Sequence, residues 1–155
     1  MKLCTLKHAV DHKPTAEDFA IIEADRPTCP TAGVLVRVVH LSLDPYVGSR
    51  LRGRHMGEPA PTPMQCAIPG AVIGQIIESN ATGLGEGDWV HAMEGGWQEY
   101  AAFPANEVRK IDPTIAPLAA HAGVLGMPGL TAWAGITQLA KVGEGDTVLV
   151  DAAAG

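Results

Sequence analysis

Glycine and proline set the limits on this chain. Its 155 residues include 18 glycines and 12 prolines, a content that points to many short strands and turns rather than to a helical bundle. The segments between them agree. Residues 3–10, 19–23, 34–43, 71–78, 88–93, 97–103 and 108–111 read as strands, rich in apolar and β-branched side chains. The clearest is 34–43, where β-branched and apolar residues dominate and Arg37 interrupts on one face. Asp44-Pro45 starts a turn, and one helical turn is expected over 46–50. Gly74 inside a strand suggests a bulge or a close backbone approach. Residues 51–69 have no periodicity and carry Pro59, Pro61, Pro63 and Pro69, so they are expected to be one long loop, and loops of that length tend to be functional or mobile. Its Arg52, Arg54 and His55 read as solvated rather than as an anion site.

The period changes at Pro117. Residues 118–125 look helical, Gly126 to Pro128 break the pattern, and Pro128 suits the first turn of a second helix reaching about Lys141. Leu130, Trp133, Ala134, Ile136 and Leu139 fall near helical spacing, with Trp133 expected in the core. Residues 147–151 read as a short apolar strand, and 152–155 as a small-residue loop. Strands followed by helices and one buried-looking strand describe an all-β domain joined to the start of an α/β domain.

Composition removes several function classes. A net charge of −6 without a block of like charge argues against a nucleic-acid or anionic-membrane surface. Mean hydropathy is +0.11, yet no run approaches the roughly 18 apolar residues of a membrane span. Residues 1–8 lack a secretory pattern. Cys4, Cys29 and Cys66 are odd in number and widely spaced, so free thiols and a cytoplasmic location are expected. The six histidines show no zinc-ligand spacing, and no metal is expected.

Three runs carry a resemblance: Leu41-Ser42-Leu43-Asp44-Pro45-Tyr46, Gly126-Met127-Pro128-Gly129-Leu130-Thr131-Ala132-Trp133, and Gly145-Asp146-Thr147-Val148-Leu149-Val150-Asp151-Ala152-Ala153-Ala154-Gly155. Together they resemble the medium-chain dehydrogenase/reductase superfamily, and within it the zinc-free branch of NADP-dependent alkenal/one and 15-oxoprostaglandin reductases. The resemblance implies a GroES-like β-barrel with short helices over 1–125. It implies a linker helix and the first strand of a truncated Rossmann α/β domain over 126–155. It also implies NADPH as cofactor and reduction of the C=C bond of α,β-unsaturated aldehydes and ketones. Pro45, Tyr46, Met127 and Thr131 would line the nicotinamide end, with Tyr46 the catalytic candidate; Ala152 and Gly155 would approach the pyrophosphate. Where this branch has Met-Arg-Gly-Arg after the tyrosine, the chain has Val47-Gly48-Ser49-Arg50.

The chemistry accounts for such residues. Hydride addition to the β-carbon leaves negative charge on the carbonyl oxygen, and a hydroxyl placed there stabilises it. The cofactor carries the hard step while the protein positions the reactants. Small residues after a strand let the backbone approach phosphate. Two other readings stay open: a quinone oxidoreductase of the same superfamily, and a non-catalytic GroES-like interaction module. The chain is expected to be incomplete for activity by itself, with residues after about 142 unordered or paired with a second copy. A homodimer acting on a small-molecule α,β-unsaturated carbonyl is the expected assembly.

Overall fold

The structure, a computed structural model, describes residues 1–151. In chain order its strands are β1 (Lys2–Leu6), β2 (Phe19–Glu23), β3 (Gly33–Leu41), β4 (Arg54–His55), β5 (Glu58–Pro59), β6 (Val72–Ser79), β7 (Trp89–Ala92), β8 (Tyr100–Pro104) and β9 (Val108–Ile111). β1 and β2 form an antiparallel ribbon. Five strands form a second antiparallel sheet in the order β8-β3-β6-β7-β9. The stretch before β8 joins the two. The Cys4 amide donates to Trp97 O at 2.8 Å, the Glu99 amide to Lys2 O at 3.1 Å, and the Val38 amide to Glu99 O at 2.9 Å. Residues 97–99 therefore lie between β1 and the end of β3, and the sheet curls on through the ribbon. The mainly β architecture expected from the strand pattern is the one observed.

β3 sits between β6 and β8 and is buried on both faces over Val34, Leu35 and Val36, which is why its sequence is a continuous apolar run rather than an alternating one. On one face Val34 and Val36 pack with Val72, Ile76, Val90, Ala92, Ala101 and Phe103. The opposite face carries Ile73 beside its cross-strand partner His91, and the 3₁₀ turn Leu118–His121 packs against β6. Both His91 and His121 are buried.

Gly74 makes the β3–β6 ladder fit. A Cβ there would land on Val36 Cγ1 and, at 2.5 Å, on Arg37 O. The glycine thus marks close backbone approach. The ladder slips on either side of it: Leu35 pairs with Glu78 and Val36 with Ile76, leaving Ile77 extra on β6, and Val38 pairs with Gly74 and His40 with Ile73, leaving Val39 extra on β3.

Four expectations need correction. Residues 51–69 are not wholly loop: β4 and β5 make a two-residue hairpin whose turn residues Met56 and Gly57 have φ of 50° and 91°, the left-handed pair of a type I′ turn. The helix-like stretch 118–125 is only a 3₁₀ turn, because Gly126 and Gly129 fold the chain back on it. A Cβ on Gly126 would lie 2.6 Å from His121 O, and one on Gly129 would overlap Val124 O. The helix that follows, α2 (Met127–Ala134), continues into a wide π-type turn, Gly135–Leu139. None of its residues is buried, so Trp133 is not core; it is 56% exposed. Residues 147–151 form no strand, and Leu149 is 90% exposed. A strand is stabilised by its ladder, and among the described residues no neighbour pairs with this segment.

Two measurements test this packing. Gly74→Ala is expected to destabilise the chain by at least about 1–3 kcal/mol, the usual range for overpacking, in urea unfolding. His91 gives a pH dependence. Burial first, then the Arg109 guanidinium opposite it on β9 and His121, hold its pKa below the usual 6.5. Since the folded value is below the unfolded one, its contribution is complete above about pH 6.5 and is lost as pH falls through the folded value. Unfolding free energy should fall as pH drops below about 6.5, and His91→Gln should flatten that slope.

Candidate functional site

The site begins where β3 ends. Asp44 and Pro45 start the turn, with the Val47 amide donating to Asp44 O at 3.0 Å and the Gly48 amide to Pro45 O at 3.1 Å. Tyr46 is the N-cap of α1 (Val47–Leu51). Val47 and Leu51 anchor this short helix among Leu6, Val10 and Ile68. Tyr46 lies at the margin of the same cluster with Cys4, Phe19 and Trp97.

The Tyr46 hydroxyl is buried and has no hydrogen-bond partner. Three polar side chains surround it. Arg50 is one turn further along α1; its Nε is also buried and unpartnered, and its Nη1 stands 3.7 Å from Glu94 Oε1. His55, carried by β4, sets its ring edge-on to Tyr46 with centroids 6.2 Å apart and planes at 68°, and its Nδ1 is buried without a partner. Glu94 stands just before Gly95, whose Cβ would overlap Val72, so the turn that presents Glu94 is pressed against β6. Burial raises the Tyr46 pKa above the ordinary phenol value; the Glu94 and Asp44 carboxylates add to the shift and Arg50 opposes it. At neutral pH the hydroxyl is therefore a donor with no acceptor.

Of the other expected residues, Pro45 is exposed beside Tyr46. Met127 and Thr131 lie on α2, Met127 at 48% exposure, and the Thr131 hydroxyl donates back to Met127 O at 2.8 Å, leaving its oxygen free to accept. Ala152 and Gly155 lie outside the described residues. A groove of about 370 Å³ joins the motifs' flanks: Leu41, Ser42 and Leu43 line one wall, and Ala119, Ala122 and Gly123 the other. A larger, apolar groove of about 460 Å³ lies between β1 and the end of β3, lined by Leu3, Cys4, Val38 and Trp97 among others, but not by Tyr46. Among the described residues no group of three or more His, Cys, Asp or Glu side chains could hold a metal ion, and no helix is long and apolar enough to cross a membrane.

His55 and Glu94 were not legible as site residues. His55 sits in an Arg-rich stretch that reads as solvated, and only the hairpin brings it to Tyr46. Glu94 is 40 or more positions from the tyrosine in sequence, and the paired glycines after it were its only signal.

The chain belongs to a family of oxidoreductase N-terminal domains: residues 2–111 match the N-terminal domain of oxidoreductase, and its relatives place it in the medium-chain dehydrogenase/reductase superfamily. It is 36% identical over 145 residues to the NADPH-dependent curcumin reductase of Escherichia coli (strain K12), covering 92% of this chain and 41% of that protein. It is 37% identical over 126 residues to the 2-alkenal reductase (NADP(+)-dependent) of Nicotiana tabacum, covering 79% of this chain and 36% of that one. The crystal structure of CurA from Vibrio vulnificus in complex with NADPH superposes with a TM-score of 0.79 at 32% identity, over 94% of this chain and 43% of that chain. The chain thus spans less than half the length of these relatives.

The unpartnered hydroxyl makes a stability test. Removing a buried donor that has no acceptor costs nothing in lost bonds. Tyr46→Phe is expected to leave the unfolding free energy unchanged or to raise it by about 1 kcal/mol, read by urea denaturation; a loss above about 1 kcal/mol would mean the hydroxyl has a partner.

Proposed function

We propose that this chain is the substrate-side part of an NADPH-dependent oxidoreductase that reduces the C=C bond of α,β-unsaturated aldehydes and ketones without zinc. In this reading residues 1–125 form the substrate-side domain, and 126–155 are the linker helix and the start of the nucleotide-binding domain. The observation that carries it is the buried, unpartnered hydroxyl of Tyr46. A polar group stripped of water and left without an acceptor is costly in a fold, and a ligand oxygen would relieve that cost.

The residues fit the nicotinamide end of such a cofactor. Tyr46 offers a donor, Met127 an exposed thioether face, and Thr131 an accepting oxygen. When bound, NADPH supplies the hydride. Tyr46 would donate to the carbonyl oxygen as negative charge grows on it, and its raised pKa keeps the proton in place for that task. Arg50 and Glu94 stand beside the phenol as an ion pair, Nη1 3.7 Å from Oε1. The names of the two reductase relatives, for curcumin and for 2-alkenals, support an enone as the substrate class.

The test uses this chain and the full-length protein that carries it. The full-length protein is expected to oxidise NADPH with a 2-alkenal or an unsaturated ketone, and Tyr46→Phe should lower kcat by about 10²-fold, the usual effect of losing one oxyanion donor. The 155-residue chain alone is expected to bind no NADPH at micromolar concentration in a fluorescence titration. Turnover of a quinone but not an enone would turn the assignment to a quinone oxidoreductase. NADPH binding by neither length would leave an interaction module.

A further inference from the structure

We propose that the β4–β5 hairpin is a flap over Tyr46, with His55 as its closing residue, and that it must lift before a carbonyl oxygen can reach the Tyr46 hydroxyl. The inference rests on the reading of Tyr46 as a carbonyl-binding donor.

The hairpin is built to move as a unit. It is attached at Gly53, whose φ is +70°, and its base is closed by one bond from the Ala60 amide to Gly53 O at 2.7 Å. Inside it, two cross-strand pairs, Arg54 with Pro59 and His55 with Glu58, and the Arg54 guanidinium bond to Gly57 O at 2.9 Å hold the ribbon together. The left-handed turn at Met56 and Gly57 fixes its register. Its neighbour in the fold is α1, and it belongs to a two-stranded sheet of its own, apart from the larger sheet and from the β1–β2 ribbon. Its tip is in water, with Met56 89% exposed. A two-stranded ribbon of this size is marginal by itself, so its position depends on what it rests on.

What it rests on is the Tyr46 ring, through His55. That closed contact is poorly satisfied. Tyr46 Oη and His55 Nδ1 are both removed from water, and neither has a partner. Closing therefore trades two hydrated polar atoms for an edge-to-face ring contact, and lifting restores hydration to both. A bound carbonyl oxygen would accept from Tyr46 in the lifted state and so favour it.

The chain contains two tyrosines, Tyr46 and Tyr100, which makes a direct readout available. Tetranitromethane nitrates accessible phenols, and peptide mass spectrometry reads each site separately. Tyr100, on β8 under the Arg26 guanidinium, is the internal standard, and the three cysteines consume reagent equally in every variant. His55→Ala removes the cover. Gly57→Ala loosens the flap without touching Tyr46, because its Cβ would meet nothing within 4 Å while its φ of +91° disfavours alanine. Both variants are expected to raise the Tyr46-to-Tyr100 nitration ratio by roughly fivefold or more over the wild type. A Gly57→Ala ratio within about twofold of the wild type would make the hairpin a fixed wall and overturn the proposal. So would a His55→Ala ratio that does not rise, because another group would then cover the hydroxyl. Nitration reads no catalysis, so the flap can fail while the reductase assignment stands, and the reverse.

Discussion

The close contact of β3 with β6 holds this molecule together. β3 has neighbours on both sides, as β6 and β7 do, and both of its faces are dry at Val34 to Val36. Its partner can approach only because Gly74 has no side chain. That contact has a cost in regularity: the ladder slips, and Val39 bulges out. A bulge bends a strand and increases its twist. Just before it β3 parts from β8, its Val38 amide donating instead to Glu99 O, and beyond it the chain delivers Asp44-Pro45-Tyr46 to the margin of the second apolar cluster. The site is therefore positioned by backbone packing at a distance rather than by a dedicated loop.

Around Tyr46 the fold reverses its usual economy. Elsewhere the buried Thr5 hydroxyl donates to Pro63 O at 2.9 Å and the half-buried Ser79 hydroxyl to Leu84 O at 2.6 Å, while Trp97 Nε1 and His121 Nε2 are buried without partners. At Tyr46, Arg50 and His55 three buried polar atoms in one neighbourhood have none. Unsatisfied groups of this kind are rare in folded proteins, and three of the five found among the described residues belong to Tyr46, Arg50 and His55, a concentration of the kind expected where a fold serves something other than stability.

Legibility followed the range of the interactions. Strands β2, β3, β6, β7 and β9 could be read from local composition, because burial and β-propensity act residue by residue. The Asp44-Pro45 turn and the helical turn after Tyr46 were equally local. The hairpin at Arg54 to Pro59 was missed because two residues per strand give no period, and its turn used Met56 in a left-handed conformation, where Asn or Asp is the usual signal. Trp133 was misplaced for a different reason. Helical spacing shows that a face is apolar but not what covers it, and α2 has no cover among the described residues. Residues 147–151 have the composition of a strand, yet a strand exists only with a partner. For the candidate site, the family resemblance pointed to Tyr46, whereas the neighbourhood of His55 and Glu94 depends on tertiary approach that no spacing encodes.

The order of the strands has a bearing on synthesis. Among the described residues every paired strand lies between Lys2 and Ile111, so the whole hydrogen-bonded framework is synthesised before α2 and the apolar stretch Val148 to Val150. Domains generally fold as units as they emerge. The strands of the β domain emerge first, and their pairing can begin while the helix and that apolar stretch are still inside the ribosome.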